Sequence, residues 1–160
     1  MTLDEVATAC PIALGQSAPL LITQEMVDTH ASTTGDAQWI HNDPERAIRE
    51  SPFGAPIVQG FLLLALLTQL SSDLKFPSYG QVSMLLNYGF DRVRFLQAVP
   101  VGSSVFLVGT LSQVRIRPDN SAVLSIDVEL CVESTQQQSQ GLEPEPSMSA
   151  RWLFLAIPSE

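Results

Sequence analysis

The sequence predicts a single α+β domain of 160 residues, in which an antiparallel sheet wraps around a central buried helix. Three observations support this fold class. Helix signals are concentrated in the first 70 residues, the helix that follows Gly60 is apolar throughout, and from residue 81 onward the apolar residues recur with a period of two. With 45% apolar residues, a chain of this length can build one continuous core.

Residues 1–18 are expected to form an irregular leader, because they show no sustained hydrophobic period and are interrupted by Pro11 and Gly15. A short strand is expected around Leu20 to Ile22.

Two short helices are predicted next. Thr23 is a helix N-cap with an acidic first turn, and Gly35 ends that helix. The pair Asp43-Pro44 starts the second helix, because proline is preorganised for the first helical position, and the helix ends near Ser51.

The central helix is predicted to begin at Gly60, after a turning loop that contains Pro52, Gly54 and Pro56. The run FLLLALL that follows Gly60 is apolar on every side of a helix. We therefore expect this helix to be buried on every side.

Alternating apolar and polar residues predict strands at 92–95, 114–117, 124–132 and 150–157. Residues 117–121 are typical of a hairpin turn, so adjacent strands should be antiparallel. The polar stretch 134–147 is expected to be a mobile loop within the single domain 1–160. Strand edges left open by such a sheet favour pairing with a second copy.

Composition excludes several classes of function. A net charge of −9, from 17 acidic and 8 basic side chains, provides no general surface for nucleic acid. No apolar run approaches the roughly 20 residues that span a bilayer. The first residues include Asp4 and Glu5 where a secretory signal would be basic, so a cytoplasmic location is expected.

Metal and redox chemistry are not indicated. The two cysteines, Cys10 and Cys131, are far apart, and no Cys or His spacing is typical of a metal site. Both are expected to be inert thiols, and no cofactor is predicted.

One segment departs from the acidic character of the chain. Between Lys75 and Arg117 five side chains are basic and only Asp91 is acidic. Two interpretations stay open for arginines such as Arg92 and Arg94: they mark the solvated face of strands, or they bind an anionic ligand such as the phosphates of coenzyme A.

The segment from Gly35 to Pro44 contains the candidate reactive groups. Asp36 and His41 lie on a short connection between two helices, from which both side chains could reach one cleft. Their reference pKa values, about 3.9 and about 6.5, place an ionised base beside a group that can carry a proton either way near neutral pH. From spacing alone a structural interpretation remains open, with Asp36 as a cap and His41 as a buried polar group.

This segment, together with Pro56-Ile57-Val58-Gln59-Gly60 at the start of an apolar helix, resembles the MaoC-like (R)-specific enoyl-CoA hydratases. A second stretch, from Asn87 through Gly102, is similar to the strand that follows in one branch of that family. The resemblance covers roughly residues 20 to 133. It implies a hot-dog fold, in which Asp36 and His41 activate water and the N–H of Gly60 binds the thioester oxygen. It also implies a homodimer.

Two positions depart from the family pattern. Gln38 stands where many relatives have Asn, and Gln59 where many have His. We expect Gln38 to keep an orienting role, because its amide donates and accepts as Asn does, and we group both glutamines with the substrate-binding residues. Trp39 either lines an acyl pocket or packs in the core or at a dimer interface.

The leading hypothesis is therefore reversible (R)-specific hydration of trans-2-enoyl-CoA to (3R)-3-hydroxyacyl-CoA, a hydro-lyase activity in fatty acid metabolism. Coenzyme A would enter only as part of the substrate. Two alternatives remain: a (3R)-hydroxyacyl-acyl-carrier-protein dehydratase, and a hot-dog subunit that binds acyl thioesters without turnover.

Overall fold

The computed structural model describes residues 1–79, 82–134, 141 and 143–159. Five α-helices and six strands are present in these ranges, together with a 3-10 turn at Ser71–Asp73. The helices are α1 (Leu3–Ala9), α2 (Gln24–Thr34), α3 (Trp39–Asn42), α4 (Pro44–Glu50) and α5 (Gly60–Leu70). The strands are β1 (Ile12–Gln16), β2 (Leu20–Leu21), β3 (Val82–Phe95), β4 (Ser104–Ile116), β5 (Ala122–Val132) and β6 (Pro146–Pro158).

All pairings in the sheet are antiparallel, as predicted. The strand order is β1-β4-β5-β6-β3, with β2 pairing to β4 beside β1. The strand β3 therefore lies at one end of the sheet, although it precedes β4 in the chain. The expected α+β architecture, a curled antiparallel sheet with a helix in its concave face, is confirmed.

The core lies between α5 and the inward face of the sheet. The side of α5 that faces the sheet carries five buried leucines: Leu62, Leu63, Leu66, Leu67 and Leu70. The prediction that this helix is buried on every side is wrong for the single chain, because Phe61 is 69% exposed and Ala65 is also exposed. An all-apolar sequence does not reveal which side of the helix is left open.

The irregular leader expected for residues 1–18 is also corrected. Thr2 and Glu5 form a capping box that starts α1, in which each side chain accepts a hydrogen bond from the other residue's backbone N–H. Val6 of this helix is fully buried, and β1 follows directly. The first residues are therefore part of the domain.

The predicted limits of the two early helices are confirmed. The Thr23 side chain accepts a hydrogen bond from Met26 N, and Gly35 ends α2 in the left-handed conformation with φ of 81°. Asp43 caps α4, with Pro44 in its first turn. Local capping chemistry is sufficient to define these ends.

The last two segments differ from expectation in extent. The predicted final strand covers 150–157, whereas β6 begins at Pro146, so the end of the predicted loop 134–147 is strand. Residues 135–140 and 142 of that loop lie outside the described residues, so the expected mobility is not tested. Within the described ranges no helix is long and apolar enough to cross a membrane.

Candidate active site

His41 lies in the short helix α3, where hydrogen bonds hold both its ring and its backbone. It is 6% exposed, and its Nδ1 lies 2.6 Å from the carbonyl oxygen of Ile57. Because a carbonyl oxygen only accepts hydrogen bonds, Nδ1 carries the proton of the neutral ring. The lone pair is therefore on Nε2, which is free to act as a base.

A hydrogen-bond network ties the turn at His41 to helix α2. The Gln24 amide donates to the His41 carbonyl oxygen at 2.8 Å and to Asp28 at 2.9 Å. The same oxygen of Asp28 accepts a 2.6 Å hydrogen bond from Asn42. The backbone that carries the imidazole is thus fixed against α2.

The amino end of α5 provides the second component of the site. Gly60 is the first residue of the helix, and the preceding Gln59 makes no side-chain capping bond. The first N–H groups of a helix have no intrahelical partner, and the helix dipole adds partial positive charge there. This end is anchored by a hydrogen bond from Val58 N to the Val99 carbonyl oxygen at 2.8 Å.

His41 and Gly60 line the same cavity, whose volume is about 290 Å³. An imidazole and an uncapped helix end therefore face the same cavity. Most of the remaining wall is apolar, and it is formed by Phe53, Ile57, Val58, Leu63, Phe95, Leu96, Gln97, Ala98 and Val99.

Asp36 is not among the described residues that line this cavity. Its Oδ1 accepts a long hydrogen bond, 3.4 Å, from the Gln38 amide. Its carbonyl oxygen accepts another, also 3.4 Å, from the side chain of Gln59. Asp36 is thus connected to the residue directly before Gly60.

The other predicted site residues are placed as follows. Gln38 is exposed, and its backbone oxygen accepts the hydrogen bonds that start α3, while Gln59 is fully buried. Trp39 is partly buried and packs under the guanidinium of Arg46, 4.4 Å from the ring centre. Neither Gln38, Gln59 nor Trp39 is among the residues that form the cavity wall.

The structure does not bring Arg92 and Arg94 to this cavity. Arg92 pairs with Arg151 across the sheet, and Arg94 with Ser149, both on the face opposite to the buried Ala150. The Arg94 guanidinium donates to the neighbouring Val93 carbonyl oxygen. The prediction that these arginines bind substrate is therefore not supported by the geometry of a single chain.

Several residues of the site were missed by the sequence analysis. Ile57 and Phe95 lie within segments that carry the resemblance, but nothing in those segments marked the Ile57 carbonyl or the Phe95 ring as part of the site. No motif marked Gln24 and Asp28. Their roles arise only because segments far apart in the chain meet at the start of α5.

Two buried groups outside the cavity wall have raised pKa values. Burial raises the pKa of the Cys131 thiol to about 11 and that of Tyr79 to about 12. Both stay protonated at neutral pH, in agreement with an inert Cys131. Among the described residues, no three His, Cys, Asp or Glu side chains converge as metal ligands would.

The chain is similar to known proteins in both sequence and fold. Residues 8–131 match the family described as MaoC like domain. The chain is 36% identical to Nodulation protein N of Rhizobium meliloti, over 98% of this chain and 91% of that protein. It is 39% identical to 3-hydroxyacyl-thioester dehydratase Z of Mycobacterium tuberculosis, over 82% of this chain and 85% of that protein. Among solved structures, a MaoC-like dehydratase from Rhodospirillum rubrum superposes with a TM-score of 0.74 at 17% identity, covering 100% and 99% of the two chains.

Proposed function

The chain belongs to the MaoC-like dehydratase family and is a hydro-lyase of the hydratase and dehydratase type, and on that premise we propose that it hydrates trans-2-enoyl-CoA reversibly to (3R)-3-hydroxyacyl-CoA. The observation that carries this proposal is the shared cavity of His41 and Gly60. A base and a donor for a carbonyl oxygen then act on one bound molecule.

The proposed reaction uses these groups as follows. The free Nε2 of His41, together with the carboxylate of Asp36, removes a proton from a water molecule whose oxygen bonds to C3. The C2–C3 double bond becomes single, negative charge develops on the thioester oxygen, and the proton is returned to C2. The N–H of Gly60 stabilises the charge on that oxygen. The net reaction is the addition of one water molecule to the double bond, which requires no metal and no redox cofactor.

The wall of the cavity supports an acyl thioester as the ligand class. Phe53, Leu63, Phe95 and Leu96 present apolar surface next to the reactive groups. A cavity of about 290 Å³ lies just below the range, roughly 300–1,000 Å³, found for small-molecule sites. We infer that in this chain the cavity receives the acyl end of the substrate, and that the larger coenzyme A or carrier-protein part stays outside.

A homodimer is part of the same proposal. Among the described residues, the strand β3 has a neighbour on one edge only, and it exposes large apolar side chains along its first half: Met84, Leu85, Leu86 and Tyr88. A long apolar edge strand of this kind favours pairing with a second chain. The other end of β3 carries Phe95, which lines the cavity, so pairing of two β3 strands would bring each site close to the subunit boundary.

A direct assay tests the reaction. Crotonyl-CoA is mixed with the purified protein, and the ultraviolet absorbance of the conjugated thioester is followed together with free thiol. We expect the conjugation signal to fall without thiol release, and chiral analysis to show the (3R) product. Thiol release would identify a thioesterase, binding without change would identify a non-catalytic subunit, and either result would refute the proposal. Faster turnover with an acyl-carrier-protein thioester would support the same reaction but would identify the carrier protein, in place of coenzyme A, as the thioester partner.

A further inference from the structure

Gln59 is unusual in being a fully buried amide next to the proposed oxyanion donor. Among the buried polar side chains of the described residues it is the one with 0% exposure. Its backbone is fixed at the start of α5, because its carbonyl oxygen accepts hydrogen bonds from Leu62 N and Leu63 N, each at 3.1 Å. The side chain therefore extends from a fixed point.

The amide nitrogen of Gln59 connects two other segments to that point. It donates to the Val27 carbonyl oxygen on α2 at 3.1 Å and to the Asp36 carbonyl oxygen at 3.4 Å. An amide has two N–H groups, so both bonds can be made at once. The side chain of Gln59 thus links α2 and the Asp36 peptide to the start of α5.

Stability alone does not explain the choice of an amide at position 59. The Oε1 atom of Gln59 is buried and has no hydrogen-bond partner among the described residues. A buried polar atom without a partner destabilises the folded state, and this cost offsets part of what the two hydrogen bonds of the amide nitrogen contribute. Positions that oppose stability in this way are expected where function selects the side chain.

We propose that Gln59 is a positioning residue, which holds the Asp36 peptide at a set distance from the Gly60 N–H. This inference rests on the proposed hydration. In that reaction the groups that transfer protons and the group that stabilises the thioester oxygen must engage one substrate at the same time. A misplacement of about 1 Å can cost on the order of 100-fold in rate.

The test uses Gln59→Met, which keeps the length of the side chain and removes both donors. We expect kcat to fall on the order of 10- to 100-fold while KM changes less than about 3-fold, because the group acts through geometry in the reacting complex. Two changes oppose each other in the melting temperature: the buried unpaired Oε1 is removed, while the Val27 and Asp36 carbonyl oxygens lose this donor, so we expect a small net change. Gln59→His restores one N–H at this position and should recover part of kcat. Gln69→Met, the same substitution at an exposed position of α5, is the matched control and should leave kcat unchanged.

Hydrogen exchange measured by mass spectrometry provides a readout that does not depend on turnover. In Gln59→Met we expect faster exchange in the peptide that contains residues 35–38, with the sheet unaffected. If wild-type protein shows no hydration, the proposed function fails, and exchange alone then decides the role of Gln59. The inference is overturned if kcat in Gln59→Met stays within twofold of wild type, if exchange at 35–38 is unchanged, or if exchange rises throughout the chain with a matching fall in Tm.

Discussion

The ring of Phe95 lies against the α-carbon of Gly60, so closely that a Cβ at position 60 would come within 3.0 Å of the ring Cζ atom and 3.1 Å of two further ring carbons. Phe95 lines the cavity on β3, and Gly60 begins α5. The absence of a side chain at position 60 thus permits the sheet and the helix end to approach at the site.

Gly60→Ala should therefore impair the site without unfolding the protein. The added methyl group would displace the half-exposed ring of Phe95, and we expect kcat/KM to fall about tenfold. This is less than the roughly 10²- to 10³-fold typical for loss of an oxyanion donor, because the N–H of residue 60 is kept. Helix propensity favours Ala over Gly by up to about 1 kcal/mol, so Tm should not fall for that reason. The double variant Gly60→Ala with Phe95→Leu should recover part of the activity. Full activity in Gly60→Ala alone would contradict the role of this contact.

His41→Gln should abolish most of the hydration. Loss of a general acid or base typically lowers the rate by 10²- to 10⁴-fold, and the Gln side chain cannot take a proton from water. The matched control is His30→Gln, because His30 is the other histidine of the chain and lines a separate depression on α2. Initial rates with crotonyl-CoA measure both variants. Equal losses in the two would argue against a specific role for His41.

Asp36→Asn keeps the size of the side chain and removes its capacity to act as a base. We expect a decrease in kcat on the order of 10²- to 10⁴-fold with little change in Tm. Asp43→Asn is the control, since Asp43 caps α4 and Asn caps helices equally well. Steady-state kinetics of the two variants should differ by at least tenfold. If they do not, Asp36 is not part of the proton transfer.

Leu86→Lys should convert the proposed dimer into monomers, because a charge on the open edge of β3 opposes strand pairing. Light scattering after gel filtration should give twice the chain mass for wild type and the chain mass for the variant. Ile48→Lys, at an exposed apolar position of α4, should remain a dimer. A monomeric wild type would refute the dimer while leaving the reaction open to separate test.

The ion pair between Asp127 and Arg151 predicts a small pH-dependent contribution to stability. Arg151 donates to both carboxylate oxygens, at 2.7 and 2.9 Å, and this hydrogen bonding lowers the pKa of Asp127 below its usual 3.8. A lowered folded-state pKa means that the stabilisation is present above about pH 3.8 and is lost as the pH falls through the folded value. Both side chains are nearly half exposed, so the effect should not exceed about 1 kcal/mol.

Thermal unfolding of Asp127→Asn tests this contribution. Its Tm should be slightly below that of wild type at pH 7, and the difference should shrink as the pH falls below about 3.8 and through the lowered folded-state pKa. Glu129→Gln, on the same strand, removes a charge for which the described residues provide no ion pair, and should leave Tm nearly unchanged. A difference in Tm that grows toward low pH would contradict a stabilising role for the ionised carboxylate.

Local chemistry in the sequence determined a large part of the fold. The cap at Thr23, the left-handed Gly35 and the Asp43-Pro44 start define helix ends within a few residues, and the period of two identifies strands. The capping box of α1 is also present in the sequence, at Thr2 and Glu5, but the helix it starts is too short to show a hydrophobic period. Such signals depend on residues that are close in sequence, and for that reason the sequence alone can reveal them.

Only the tertiary structure decided which of the candidate residues meet. Arg92 and Arg94 follow the expected alternation, yet pairing with β6 places them on the outer face of the sheet, away from His41. The sequence groups Gln59 with the substrate-binding residues, whereas its contacts with α2 and the Asp36 peptide bury it completely. Burial and cavity walls depend on contacts between segments dozens of residues apart, and no pattern within one segment records which distant surface will cover it.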